Sequence, residues 1–99
     1  MAEVLRAEFI TRKTPDEAAK EALEIVKKNI PSGTNIANFY EKEIKDGVRI
    51  AGYSNAGVFH NCWIRVYATR KKEGTLIRVY TCECKEKMDE LVNKIKVYV

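Results

Sequence analysis

Residues 63–82 read WIRVYATRKKEGTLIRVYTC, and the fold follows from how this stretch is read. Apolar and polar residues alternate on both sides of Lys71 to Gly74, the pattern of two strands joined by a turn. The incoming strand spans Val58 to Arg70 and the returning one Thr75 to Glu83. A four-residue loop sets Arg70 opposite Thr75. Ile64, Val66 and Ala68 then meet Thr81, Val79 and Ile77. On the other face Trp63 falls against Cys82, Arg65 against Tyr80, and Tyr67 against Arg78. One face is aliphatic and the other combines Arg with aromatic residues. A slip of one residue would mix the two faces, so the alternation fixes the register.

Working outward, Val48 to Tyr53 reads as a strand that enters from a turn at Lys45-Asp46-Gly47. A three-residue loop with Gly47 left-handed pairs Ile44 with Val48 and Glu43 with Arg49. The strand before it covers Ile36 to Ile44. Val4 to Arg12 alternates with Leu5, Ala7 and Phe9 on one side and Arg6, Glu8, Ile10 and Arg12 on the other. Thr14-Pro15-Asp16-Glu17 is a capping box: a Thr cap, Pro at the first helical position and Glu three residues after the cap. Ala19, Leu23, Val26 and Ile30 recur at helical spacing behind it, and Pro31-Ser32-Gly33 ends the helix. Met88, Leu91, Val92, Ile95 and Val99 mark a second amphipathic helix from about Lys85 to Lys96.

The element order is β-α-β-β-β-β-α. One-sided helices and one-sided strands imply an α+β two-layer sandwich: a five-stranded antiparallel sheet with both helices on one face. In this order of elements, over most of its length, the chain is similar to a single repeat of the TATA-binding-protein fold. That resemblance implies a fold and carries no function with it.

Length and composition agree. Ninety-nine residues make a single domain, 1–99. With 45% apolar and 32% charged residues, the chain is too apolar for a disordered tail and too charged for a membrane protein. It has neither a membrane-length apolar run nor a signal-peptide start. Three cysteines, Cys62, Cys82 and Cys84, are too few and odd in number for a secreted disulfide scaffold, which points to a reducing, cytoplasmic setting. The formal charge of +4 is unevenly built. The lysines fall mostly in helices, turns and termini, whereas Arg6, Arg12, Arg49, Arg65, Arg70 and Arg78 lie in or beside strands.

Little in the sequence suggests catalysis. His60 and Cys62, with Cys82 and Cys84, offer the donors of a Cys₃His zinc site. The register opposes it, because it points Cys62 to the aliphatic face and Cys82 and Cys84 to the other. Two thiols separated by one residue in an extended strand are also too far apart for one tetrahedral ion. Cys84 precedes a helix beside Lys85 and Lys87, a setting that lowers a thiol pKa, but it lacks a plausible His partner. No P-loop, dinucleotide fingerprint or nucleophile elbow is present. The reading is of a protein without cofactor, metal or catalytic residues.

The informative feature is the sheet face turned away from the helices. It is expected to carry Arg6, Arg49, Tyr53, Trp63, Arg65, Tyr67, Arg78 and Tyr80, joined by Arg12 and Phe39. Arg binds phosphate in a fork and stacks on rings, so such a face suits single-stranded nucleic acid. Bases would stack on Trp63, Tyr67 and Tyr80 while Arg6, Arg49, Arg65 and Arg78 hold phosphates. Trp, Tyr and Arg are equally the anchors of protein interfaces, so the same face suits a protein partner or a homodimer. A curved sheet could instead hold a small ligand, and cross-strand Arg–Tyr pairs could serve stability alone.

Overall fold

The computed structural model describes residues 3–30, 36–55, 63–82 and 85–99. Its elements run β1 (Val4–Thr11), α1 (Pro15–Lys28), β2 (Ile36–Glu43), β3 (Arg49–Asn55), β4 (Ile64–Lys71), β5 (Gly74–Thr81) and α2 (Lys85–Tyr98), with one 3₁₀ turn at Lys45–Gly47. The five strands form one antiparallel sheet in the order β1-β5-β4-β3-β2. The fold class and element order are those read from the sequence.

The β4–β5 register is the one the alternation dictates: Arg65 pairs with Tyr80, Val66 with Val79, Tyr67 with Arg78 and Arg70 with Thr75. The β2–β3 turn is also as expected. Glu43 pairs with Arg49, and the Ile44 amide donates to the Val48 carbonyl at 2.7 Å. Asp46 and Gly47 both take the left-handed conformation, at φ 59° and 75°. Asp and Gly are among the residues that tolerate it best.

At the N-terminus of α1 the capping box is complete. The Thr14 hydroxyl accepts from the Glu17 amide at 3.1 Å, and the Glu17 carboxylate accepts from the Thr14 amide at 3.1 Å. Pro15 has no amide hydrogen, so two of the three amides left unpaired at this helix start are thus satisfied. The buried stripe of α1 is made of small side chains, Ala18, Ala19 and Ala22, with Val26. Methyl-sized residues let the helix backbone lie close over Ala51 and Ala68 of the sheet. Bulk is supplied by α2 through Met88, Leu91, Val92 and Ile95, packed with Ile64, Val66, Ile77 and Val79.

The last turn of α2 is tied to the strand that opened the chain. Thr11 donates to the Val99 carbonyl at 2.8 Å, and the Lys13 ammonium donates to the carbonyls of Tyr98 and Val99 at 2.8 and 3.0 Å. A cation at a helix C-terminus satisfies its unpaired carbonyls and complements the helix dipole. Among the described residues no helix is long and apolar enough to cross a membrane.

Candidate interaction surface

Because antiparallel partners share a face, the strand registers lay out the open side of the sheet as rows. One row runs Glu8, Arg78, Tyr67, Ile50, Lys42 from β1 to β2. The next runs Leu5, Tyr80, Arg65, Gly52, Tyr40. These positions alternate with the buried Ile64, Val66 and Ala68, so they point away from the helices.

Five of the expected site residues stay together on this side. The Arg65 guanidinium stacks 4.6 Å from the centre of the Trp63 ring, and Tyr67 meets Tyr80 edge to face at 5.5 Å. Arg78 pairs with Glu8 at 2.8 Å and Arg65 with Glu3 at 3.1 Å. The expected cross-strand Arg–Tyr stacks thus give way to one Arg–Trp stack and one Tyr–Tyr contact. Each arginine keeps a carboxylate of its own. Tyr40 and Lys42 of β2 complete the face, with the Lys42 ammonium 5.8 Å from the Tyr40 ring centre. Burial pushes the Tyr40 phenol above its ordinary value, against the opposing pull of the Arg65 charge. Leu5 and Ile10 of the edge strand are 49% and 45% exposed.

Four expected members lie on the helix side instead. A β-bulge between Leu5 and Ala7 turns Arg6 over, where it forms an ion pair with Asp89 of α2 and donates to the Thr81 hydroxyl at 3.4 Å. Extra residues in bulges re-aim side chains in this way. Arg49 pairs with Glu41 and lies 3.6 Å from Asp16 and 3.9 Å from Glu43. These carboxylates, Glu41 first, hold its guanidinium pKa above the ordinary value. Tyr53 is 1% exposed, with its hydroxyl 3.9 Å from the Met88 sulfur. Phe39 meets Tyr53 edge to face at 6.2 Å, so it too is on the helix side and Tyr40 takes the open position. Arg12 lies exposed in the bend after β1.

Alternation could not reveal the β2–β3 inversion, because Ile50 and Gly52 look no less core-like than Ala51 and Tyr53. The one local signal was Gly52. A Cβ there would collide with the Ile64 carbonyl, which a core-facing reading ignores. Of the missed members of the face, Tyr40, Lys42 and Ile50 follow from that inversion, Leu5 from the bulge, and Glu3 from its reach across β5 to Arg65, whereas Ile10 lies on the side the alternation gave it.

The metal reading loses one ligand to the core. Cys82, expected on the open face, is fully buried among the apolar side chains, and His60, Cys62 and Cys84 lie outside the described residues. Among the described residues no three His, Cys, Asp or Glu side chains group as metal ligands. A cleft of about 420 Å³ lies at the start of α1, lined by Thr14, Asp16, Asp46, Arg49, Thr69 and Arg70 among others. Its mixed charge reflects the Arg49 ion pairs.

The model of the initiation factor 2 subunit family matches residues 3–92, nearly the whole chain. The chain belongs to that family. No curated protein and no solved structure matches it. The matched span takes in all five strands and both helices up to Val92, so the open face lies wholly within the family's portion of this member.

Proposed function

We propose that this member of the initiation factor 2 subunit family is a non-enzymatic binding domain whose open sheet face docks against protein. The observation that carries the reading is the state of its arginines. Arg65 and Arg78 share the face with Trp63, Tyr67 and Tyr80, and both are bonded to carboxylates of the same chain. Arg6 and Arg49, the other two expected phosphate ligands, are engaged on the helix side. A nucleic-acid platform draws its affinity from unneutralised cations tracking phosphates. A protein interface draws it from Trp, Tyr and Arg anchors that shed water, within a surface of balanced charge. The family name describes a subunit, a protein that works within an assembly, and this supports the same side. A cytoplasmic place of action suits both the family and the sparse cysteines.

Photo-crosslinking tests the reading. A benzophenone amino acid placed at Tyr67 should give adducts that protease removes and nuclease leaves intact, and the same group at Asn93 on α2 should give none. Nuclease-sensitive adducts from Tyr67, or saturable and salt-dependent binding of a short oligonucleotide by the unmodified chain, would transfer the face to nucleic acid. Absence of any adduct from Tyr67 would remove the face as a binding surface.

A further inference from the structure

The open face is bounded on one side by the outer edge of β1. We infer that this edge pairs with β1 of a second copy of the chain about a two-fold axis perpendicular to the sheet, so that two five-stranded sheets join into one. The inference goes beyond the reading of the open face, which stays uncovered in such a pair.

Among the described strands β1 and β2 are the edges of the sheet. An edge carries a row of backbone groups without a ladder partner, and charged side chains commonly guard it. β2 is guarded by Glu41, Lys42 and Glu43. β1 instead shows Leu5 and Ile10, 49% and 45% exposed, on the open side. Arg6, at the bulge, is turned away to Asp89, so the open-side row runs Leu5, Glu8, Ile10. An antiparallel copy centred on Glu8 sets Leu5 of each chain against Ile10 of the other. One operation covers both exposed apolar side chains. The two Glu8 carboxylates meet at the axis, each held by its own Arg78 at 2.8 Å, so the central row is neutral in sum.

The helix layer obeys the same axis. α2 runs beside β1 in the same direction, with Asp89 at Arg6 and Val99 at Thr11. Asp89 therefore marks the β1 side of α2. Lys94 marks the other side, where it donates to Asn29 of α1 at 2.5 Å. Lys96 lies two turns beyond Asp89 and so shares its side. It is exposed and has no partner among the described residues. The midpoint between Asp89 and Lys96 is about 5 Å along the helix from Asp89. Glu8 is about 7 Å along the strand from Arg6. An axis through Glu8 thus passes close to that midpoint and sets Lys96 of each copy against Asp89 of the other. Asp89 gives Arg6 one oxygen, and its side chain is 57% exposed. Asn93 lines a hollow on the outer side of α2 with Glu90 and Val97, outside this contact.

A two-fold contact must be self-complementary, and here strand and helix meet that condition independently. Because the axis passes through the middle of β1, the whole strand overlaps its copy. The wall formed by β1 and α2, about 27 Å and 21 Å long and about 10 Å deep in each layer, is about 500 Å². Two copies bury about 1,000 Å², the least a specific interface needs, and the paired edges add backbone hydrogen bonds to it.

Sedimentation with exposed-site variants tests the inference. The unmodified chain should sediment as a dimer at high micromolar concentration. Leu5→Lys and Ile10→Glu each set a charge against an apolar side chain at both contacts. Each alone should raise the dimer dissociation constant at least about tenfold. An equimolar mixture of the two should recover the dimer, because the new ammonium then faces the new carboxylate while the second contact stays native. That recovery can come only from folded chains in this register. Lys96→Glu, which sets carboxylates together in the helix layer, should weaken the dimer about fivefold. A monomeric unmodified chain, a dimer that persists in all three variants, or a mixture that stays monomeric would overturn the inference. None of these outcomes bears on the protein adducts from Tyr67, so the reading of the open face stands or falls separately.

Discussion

The Tyr40 hydroxyl sits over Gly52 of the neighbouring strand, 3.1 Å from the point a Cβ would occupy. The same Cβ would run into the Ile64 carbonyl, so this position admits no side chain. Gly52→Ala is expected to cost about 1–3 kcal/mol through overpacking. At Gly47 the surrounding space is empty and only the left-handed backbone, φ 75°, resists a side chain. Gly47→Ala should cost about 1–2 kcal/mol. Urea midpoints would measure both, and a Gly52→Ala chain as stable as the unmodified one would refute the close approach.

Tyr40 also supplies a pH signature. Burial raises its pKa above the ordinary value of 10.0. The folded state therefore holds the phenolic proton more tightly than the unfolded state does. That contribution is fully present below pH 10 and is lost as pH rises through the folded pKa. Stability measured from pH 9 to 12 should fall less steeply in Tyr40→Phe. Ultraviolet titration should show a late-ionising tyrosine that this variant removes.

The capping box gives the opposite sign. The Thr14 amide, with the Thr14 hydroxyl, holds the Glu17 carboxyl below its ordinary value of 4.5. The group contributes stability above that value and loses it as pH falls through its lowered folded pKa. Thermal unfolding from pH 7 to 2 should therefore show an acid loss that Glu17→Gln flattens. Thr14→Ala should cost about 1 kcal/mol at neutral pH.

Arg49 neutralises Glu41, whose side chain is only 9% exposed. Arg49→Met should lower the urea midpoint by stranding that carboxylate away from water. Adding Glu41→Gln should recover part of the loss. Strictly additive losses in the double variant would show that the two groups are independent.

The two faces of the sheet predict different responses to the same substitution. Tyr53→Ala empties a core position and should cost about 3–5 kcal/mol. Tyr67→Ala removes an edge-to-face contact on the open side and should cost about 1–2 kcal/mol. Denaturant unfolding of a matched pair checks this, and equal losses would contradict the assignment of Tyr53 to the helix side.

Local signals were sufficient wherever one residue type had one plausible place. Thr14, Pro15 and Glu17 start a helix by pairing amides within four residues, so α1 needed no tertiary information. Ile64, Val66 and Ala68 against Arg65 and Tyr67 differ enough in polarity to assign both faces of β4, and the turn at Lys71 carries that assignment to β5. The Glu43–Arg49 register was equally legible, since turn geometry and opposite charges agreed.

The sequence by itself determined the elements, their order and the core hairpin, because period and turn chemistry act over a few residues. Tertiary structure alone decided which way β3 and β2 face and where Arg6 points. In β3 both alternating sets are apolar enough to be buried, and the choice falls to contacts between distant parts of the chain. Arg49 finds Asp16 at the start of α1, and Tyr53 finds Met88 on α2. At Arg6, one extra residue in β1 turns the guanidinium towards Asp89, 83 positions away. A half-buried cation goes where its counter-charge is, and periodicity carries no record of that.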